Sequence, residues 1–146
     1  MDFHYVEFNE IPDNKILDRI VKLHTSIFGH ANDLITQMKK KPQLRIDAVL
    51  DGQKVIAYKI GYALSHEKFY SWLGGVDPDY RNHGVASKLM ERQHRFLKEQ
   101  EYKTVQTKTK NKWRNMLILN IKNGFDVIGT YTDNKGEPKI ILEKRL

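Results

Sequence analysis

The pattern of apolar and polar positions switches along the chain between a repeat of two and a repeat near 3.6. Phe3 to Phe8 mixes aromatic and β-branched residues with polar ones and predicts a strand. Pro12-Asp13-Asn14 offers a turn and a helix cap. Ile16, Leu17, Ile20, Val21, Leu23, His24 and Ile27 then follow at helical spacing, up to a stop at Gly29. Ala31 to Lys40 predicts a second short helix, ended by Pro42. Leu44 to Leu50, Lys54 to Leu64 and Phe69 to Val76 read as three strands of an antiparallel meander. Asp51-Gly52 supplies its first turn and Ser65-His66-Glu67 its second. Along the middle strand, alternation sets Val55, Ala57, Lys59 and Gly61 on one face and Ile56, Tyr58, Ile60 and Tyr62 on the other.

The period then changes. Val85, Ala86, Leu89, Met90, Gln93, Phe96 and Leu97 mark a helix with one buried stripe. Thr104 to Thr109 is a short β-rich run. Trp113, Met116, Leu117, Leu119, Asn120 and Ile121 predict another helix, closed by Asn123-Gly124. Val127 to Thr132 and Lys139 to Leu142 read as two strands around an Asn134-Lys135-Gly136 turn. The order β-α-α-β-β-β-α-β-α-β-β predicts an α/β fold: a mixed, mostly antiparallel sheet of about seven strands with helices on both faces. At 146 residues, with no repeat or linker, one domain over 1–146 is expected.

Composition narrows the chemistry. There is no cysteine, which removes disulfides, Cys-ligated zinc and a thiol nucleophile. The six histidines show no H-x-x-x-H or H-E-x-x-H spacing, so no metal site is expected. No apolar run reaches the ~20 residues of a membrane span, and no signal peptide is evident, so a cytoplasmic protein without a membrane partner is expected. The net charge of +7 is unevenly placed. Ten Lys and Arg against three acids fall within residues 81–114, and the rest of the chain is balanced. A segregated basic pole points to an anionic partner.

Residues 76–86, Val-Asp-Pro-Asp-Tyr-Arg-Asn-His-Gly-Val-Ala, lie between a predicted strand and an amphipathic helix. Pro78 and Asp79 turn the chain, Arg81 adds a fixed positive charge, and Gly84 permits a positive φ or close approach of a ligand. The helix start leaves unpaired N–H groups at the positive end of its macrodipole. Together these make a pyrophosphate cradle. Neither the P-loop string nor G-x-G-x-x-G occurs in the chain.

Arg81-Asn82-His83-Gly84-Val85-Ala86 matches the acyl-CoA signature Q/R-x-x-G-x-G/A. With the lead-in V-D-P-D-Y-R, the later Gly124-Phe125 and the element order, the chain resembles the GNAT N-acetyltransferase superfamily. The resemblance implies direct transfer of an acetyl group from acetyl-CoA to an amine within a ternary complex, with no metal. It lays the cofactor's pantetheine along residues 69–76, with Gly75 and Val76 as contacts and Gly74-Gly75 suited to a bulge where the sheet opens. A backbone N–H of this strand would polarise the thioester carbonyl. The pyrophosphate then meets the amides of Asn82, His83, Gly84, Val85, Ala86 and Ser87 beside Arg81, and Asn115 is a further cofactor contact. The family's tyrosine, four residues before the Gly-Phe pair, is here Asn120. Asn120 can hydrogen-bond the sulfur or a pantetheine carbonyl but cannot act as an acid. Tyr70 and Tyr131 are substitute donors. Glu67 is the base carried forward, with His66, His30, Asp33 and Ser71 behind it and a water relay as the route that needs no side chain.

Two other readings use the same residues. Asn120 in place of tyrosine suits a non-catalytic acyl-CoA sensor on the same fold. Lys103, Lys108, Lys110, Lys112 and Arg114, with Trp113 among them, suit a nucleic-acid backbone, although the phosphates of coenzyme A account for that charge more economically. The resemblance implies a small-molecule or peptide amine as acceptor, bound by the first helices and central hairpins, and the residues leave its identity open: residues 16–40 carry no acidic cluster to attract a polycation, and nothing there specifies a peptide terminus. The resemblance also admits a homodimer.

Overall fold

Local chemistry sets the element ends. In the computed structural model, which describes residues 2–146, Asp13 caps α1 (Asn14–Phe28) by accepting the Ile16 N–H at 3.0 Å. Gly29 ends that helix at φ +84, its N–H donating to the Thr25 carbonyl. The remaining helices are α2 (Leu34–Lys39), α3 (Val85–Glu99) and α4 (Arg114–Lys122). The strands are β1 (His4–Phe8), β2 (Arg45–Asp51), β3 (Lys54–Ala63), β4 (Lys68–Val76), β5 (Thr104–Thr109), β6 (Asp126–Thr132) and β7 (Pro138–Arg145). They form one sheet in the order β1-β2-β3-β4-β5-β7-β6, antiparallel except for β4 with β5.

Both faces of the sheet are covered. α1 and α2 bury Leu17, Ile20, Leu23, Leu34 and Met38 against Ile46, Ala48, Tyr58 and Ile60. On the other face α3 sets Val85 and Leu89 against Val49 and Ala57, and Met90 and Leu97 against Phe69, Val105 and Leu142. α4 adds Leu117 and Leu119 there. The Tyr58 hydroxyl and His24 Nδ1 share a buried hydrogen bond that ties α1 to β3.

The alternation expected along β3 is corrected at its start. Leu50 pairs with Val55 but Val49 pairs with Ala57, so Ile56 is an extra residue. The bulge turns Val55 to the α1 face with Tyr58 and Ile60, and Ile56 packs with Ala57 under α3. The bulge expected at Gly74-Gly75 is also displaced. Gly74 and Gly75 pair in register with Lys59 and Tyr58, whereas Ile60 pairs with Leu73 and Gly61 with Ser71, leaving Trp72 as the extra residue. Gly61 makes that possible, because a Cβ there would stand 2.6 Å from the Tyr70 carbonyl oxygen and collide with the Phe69 ring.

A polar layer crosses the sheet beneath α3. Arg45 holds Asp47 through two hydrogen bonds of 2.9 Å and lies 3.8 Å from the Phe96 ring centroid. Glu7, Asp47, Lys59 and Gly74 are successive cross-strand neighbours. Burial raises the Asp47 carboxyl against the opposing pull of Arg45.

Gly61→Ala should destabilise the fold by about 2 kcal/mol, from forced displacement of Phe69 and the β4 backbone. Urea denaturation of the two proteins measures it; an unchanged midpoint would show that the bulge tolerates a methyl group.

Candidate active site

Four residue pairs join β4 to β5, and the last is Ser71 with Thr107. Beyond it β5 continues beside β7 and β4 beside β3, so the sheet forks. Thr107 Oγ1 donates to the Ser71 carbonyl at 2.9 Å and closes the apex. Asp77 N–H donates across to the Ile56 carbonyl at 2.8 Å. Strand alternation therefore turns the amide groups of Val76 and Gly74 away from β3, toward the open side. Arg81 Nε donates to the Val76 carbonyl there, at 3.3 Å. Gly75 presents its own amide to β3 instead.

The fork opens into a narrow cleft lined by Tyr58, Lys59, Gly74, Gly75, Val76, Ala86, Leu89, Met116 and Leu119. At its mouth the chain makes one 3-10 turn, Pro78–Tyr80. Asp77 fixes that turn by accepting the Asp79 N–H at 2.9 Å, and the Tyr80 hydroxyl donates to Asp51 at 2.6 Å. Asn82 then sits at φ +68 and Gly84 at φ +73. No Cβ at Gly84 would meet protein atoms within 4 Å, so the left-handed turn faces open space. The first helical bond of α3 is from Lys88 N–H to the Gly84 carbonyl, at 3.1 Å. Among the described residues the six N–H groups of 82–87 have no acceptor. They lie beside the positive end of α3 and next to Arg81. A cavity of about 340 Å³ adjoins them, lined by Phe3, Tyr5, His83, Gly84 and Lys88. Neither Arg81 nor Lys88 is paired with a carboxylate among the described residues. This is an anion cradle opening onto an unpaired strand edge, the fit required by a long ligand with a diphosphate at one end and amides along its arm.

The family profile described as an acetyltransferase (GNAT) domain matches residues 21–110, more than half of the chain. The chain belongs to the GNAT acetyltransferase family. It is an acyltransferase of that family. No curated protein sequence matches it. Among solved structures it is similar to a GNAT family acetyltransferase from Elizabethkingia anophelis with acetyl-CoA bound (TM-score 0.73, 17% identity, covering 99% of this chain and 98% of that one). It is similar also to the NatC complex bound to Gag peptide and CoA (TM-score 0.83, 17% identity, 100% and 99% covered). A third is aminoglycoside 6'-acetyltransferase type Ii (TM-score 0.80, 13% identity, 96% of each). At these identities the likeness shows the GNAT fold.

Within this GNAT domain the residues singled out from sequence are not all together. Residues 81–87 form the cradle, while Asn115 is exposed on the first turn of α4. Asn120 is 3% exposed, its carbonyl accepts the Phe125 N–H at 3.0 Å, and α4 presents Met116 and Leu119 to the cleft. Glu67 sits in the turn before β4, ion-paired with Lys103 at 3.1 Å. At ~3.3 Å per residue it is roughly 16 Å along the strand from Trp72. His66 is exposed in the same turn, and His30 and Asp33 are exposed between α1 and α2. Among the described residues no group of three or more His, Asp or Glu could hold a metal ion. No helix there is long and apolar enough to cross a membrane.

Lys59 is the cleft residue that sequence reasoning missed. It was legible only as one polar position on a strand. Its ammonium has no hydrogen-bond partner among the described residues, and burial lowers its pKa to about 8 against the opposing pull of Asp47. Close by on α3, His94 is pushed down to about 3 by burial and then by Lys144 and Lys59, and the Gln93 side-chain amide is buried with no partner among the described residues. Because folding lowers the Lys59 pKa from 10.5 to about 8, its ammonium weakens the fold below about pH 8, and the penalty disappears as pH passes 10.5. Lys59→Met should therefore stabilise the unliganded protein by about 2 kcal/mol at pH 7. The gain should fade between pH 8 and 10.5, as read by urea midpoints across that range. A constant gain would assign it to packing alone.

Proposed function

We propose that residues 1–146 form one catalytic domain that transfers the acetyl group of acetyl-CoA directly to an amine, with donor and acceptor bound together. The six unpaired amides of residues 82–87, beside the open edge of β4, carry this reading. Those amides and Arg81 hold the diphosphate. Lys88, in the adjoining cavity with Phe3 and Tyr5, supplies countercharge to the outer phosphate end. Gly74 and Val76 pair with the pantetheine amides as an added strand would, and Gly75 between them lets Ile27 and Tyr58 pack against the other face of the strand. Asn115 is a cofactor contact at the start of α4. The Asn120 side chain, which has no hydrogen-bond partner among the described residues, is available to the sulfur or a nearby carbonyl.

Tyr70 stands at the fork on the α1 face, and burial raises its hydroxyl to about 12. It therefore keeps its proton at neutral pH and can hand it to the departing thiolate, which Asn120 cannot do. Nitrogen attacks the thioester carbonyl as a neutral amine, the carbon–sulfur bond breaks as Tyr70 protonates the sulfur, the proton left on the former amine nitrogen passes to water at the open mouth, and Tyr70 regains a proton from that water. Glu67, held by Lys103 at the far turn, is left out of this machinery. The cytoplasm, where acetyl-CoA and free amines coexist, is the setting the reading suits.

Gly84→Glu tests the cradle. A non-glycine residue at φ +73 costs about 1 kcal/mol of strain, but its Cβ meets no atom of the described residues within 4 Å. The fold should persist by circular dichroism while calorimetric titration with acetyl-CoA shows no binding. Wild-type affinity in that variant would move the diphosphate elsewhere.

A further inference from the structure

The fork has a second mouth, on the face of the sheet away from α3. Trp72 and Lys108 are the first residues past the last β4–β5 pair, one on each arm. Trp72 packs with the α1 face, and Tyr62 lies edge-on to both Trp72 and Tyr70, with ring centroids 5.8 and 5.5 Å apart. Tyr131 of β6 completes an aromatic wall around Lys108. The α3 face carries the donor's cradle and cleft, so an acceptor reaches the apex from this side.

The wall already holds two ammonium groups. Lys41 Nζ lies 4.7 Å from the Tyr62 centroid and 5.0 Å from that of Trp72. Lys108 Nζ lies 5.7 Å from Tyr70 and 5.3 Å from Tyr131. Neither is paired with a carboxylate among the described residues, and Lys39 and Lys40 precede Lys41. Three neighbouring carboxylates are matched, Glu143 by Lys68, Glu137 by Lys110 and Lys112, and Asp133 by Lys139, while Asp126, opposite Glu143 at the far end of β6 from Tyr131, is not ion-paired among the described residues. The surplus at this mouth is therefore positive. A polycationic acceptor would be repelled here, and the rings cannot serve as an ammonium cage while the chain's own lysines fill them. A molecule whose amine is accompanied by an anion would be drawn in, its anion held by the lysines and its amine left free to approach the apex.

Resting on the acetyl-transfer reading above, we propose that the acceptor is a small amine bearing a carboxylate a few bonds from its nitrogen, an amino-acid-like molecule, held by Lys41 and Lys108 against the Tyr62-Tyr70-Trp72-Tyr131 wall.

The test uses pairs of acceptors that differ only in carboxylate versus primary amide: free amino acids against their amides, and dipeptides as a further arm. Calorimetry first establishes that the full-length protein binds acetyl-CoA; failure there sinks the acetyl-transfer reading itself. With binding established, thiol release should favour the carboxylate member by about tenfold or more in kcat/KM. The preference should collapse in Lys41→Gln/Lys108→Gln and persist in Lys98→Gln. Binding of the same pairs to the CoA-loaded protein, followed by tryptophan fluorescence with Trp72→Phe as control, reads the same preference without turnover. Amides bound and acetylated as well as their acids, or dipeptides or polyamines preferred over amino acids, would overturn the proposal. So would a preference that survives the double variant.

Discussion

Everything at the candidate site depends on where one parallel strand pair stops. β4 and β5 share only four residue pairs, and past Ser71 each follows a different neighbour. In a continuous sheet the amides of Gly74 and Val76 would be consumed by β5. Here they are left unpaired, at a location walled by Leu89, Met116 and Leu119, where an unpaired amide is costly. The cradle continues the same condition around the corner. Asn82 and Gly84 in left-handed conformations and the uncapped start of α3 leave six more donors without acceptors among the described residues. The two deficits adjoin, so a single extended ligand can satisfy both.

Much of the fold was legible in the sequence because its signals are short-range. Asp51-Gly52, the Asp13 cap, Gly29 and the change from a two-residue to a helical repeat near Val85 are each set by a few neighbouring residues, and the elements follow them closely. The cradle was legible for the same reason: Arg81 to Ala86 is contiguous. The two bulges were not, because they depend on which residue of one strand faces which of another. Gly61 reads as an ordinary strand glycine until Phe69 and the Tyr70 carbonyl are set against it. Lys59 and the wall of Tyr62, Tyr70, Trp72 and Tyr131 escaped notice likewise, since their meaning comes from cross-strand register rather than spacing.

Charge does different work on the two faces. Beneath α3, Arg45, Asp47 and Lys59 are held in a low-dielectric layer where each costs desolvation and only the first two are paired well. On the α1 face the lysines lie over rings near solvent, where an ammonium is easily satisfied and remains available. The +7 of the sequence is thus a poor guide by itself. The mouth of the fork is governed by which cations lack a local carboxylate.

The fork is also a seam in the order of chain growth. Strands β1 to β4 are consecutive antiparallel neighbours and can assemble as soon as they emerge. β5, β7 and β6 form a separate antiparallel unit, reached through the α3 crossover and joined to the first by the short β4–β5 contact. β3, β4 and α3 supply most of the cleft lining, and α4 closes it with Met116 and Leu119. The cleft is therefore complete only with the segment beyond α3 in place.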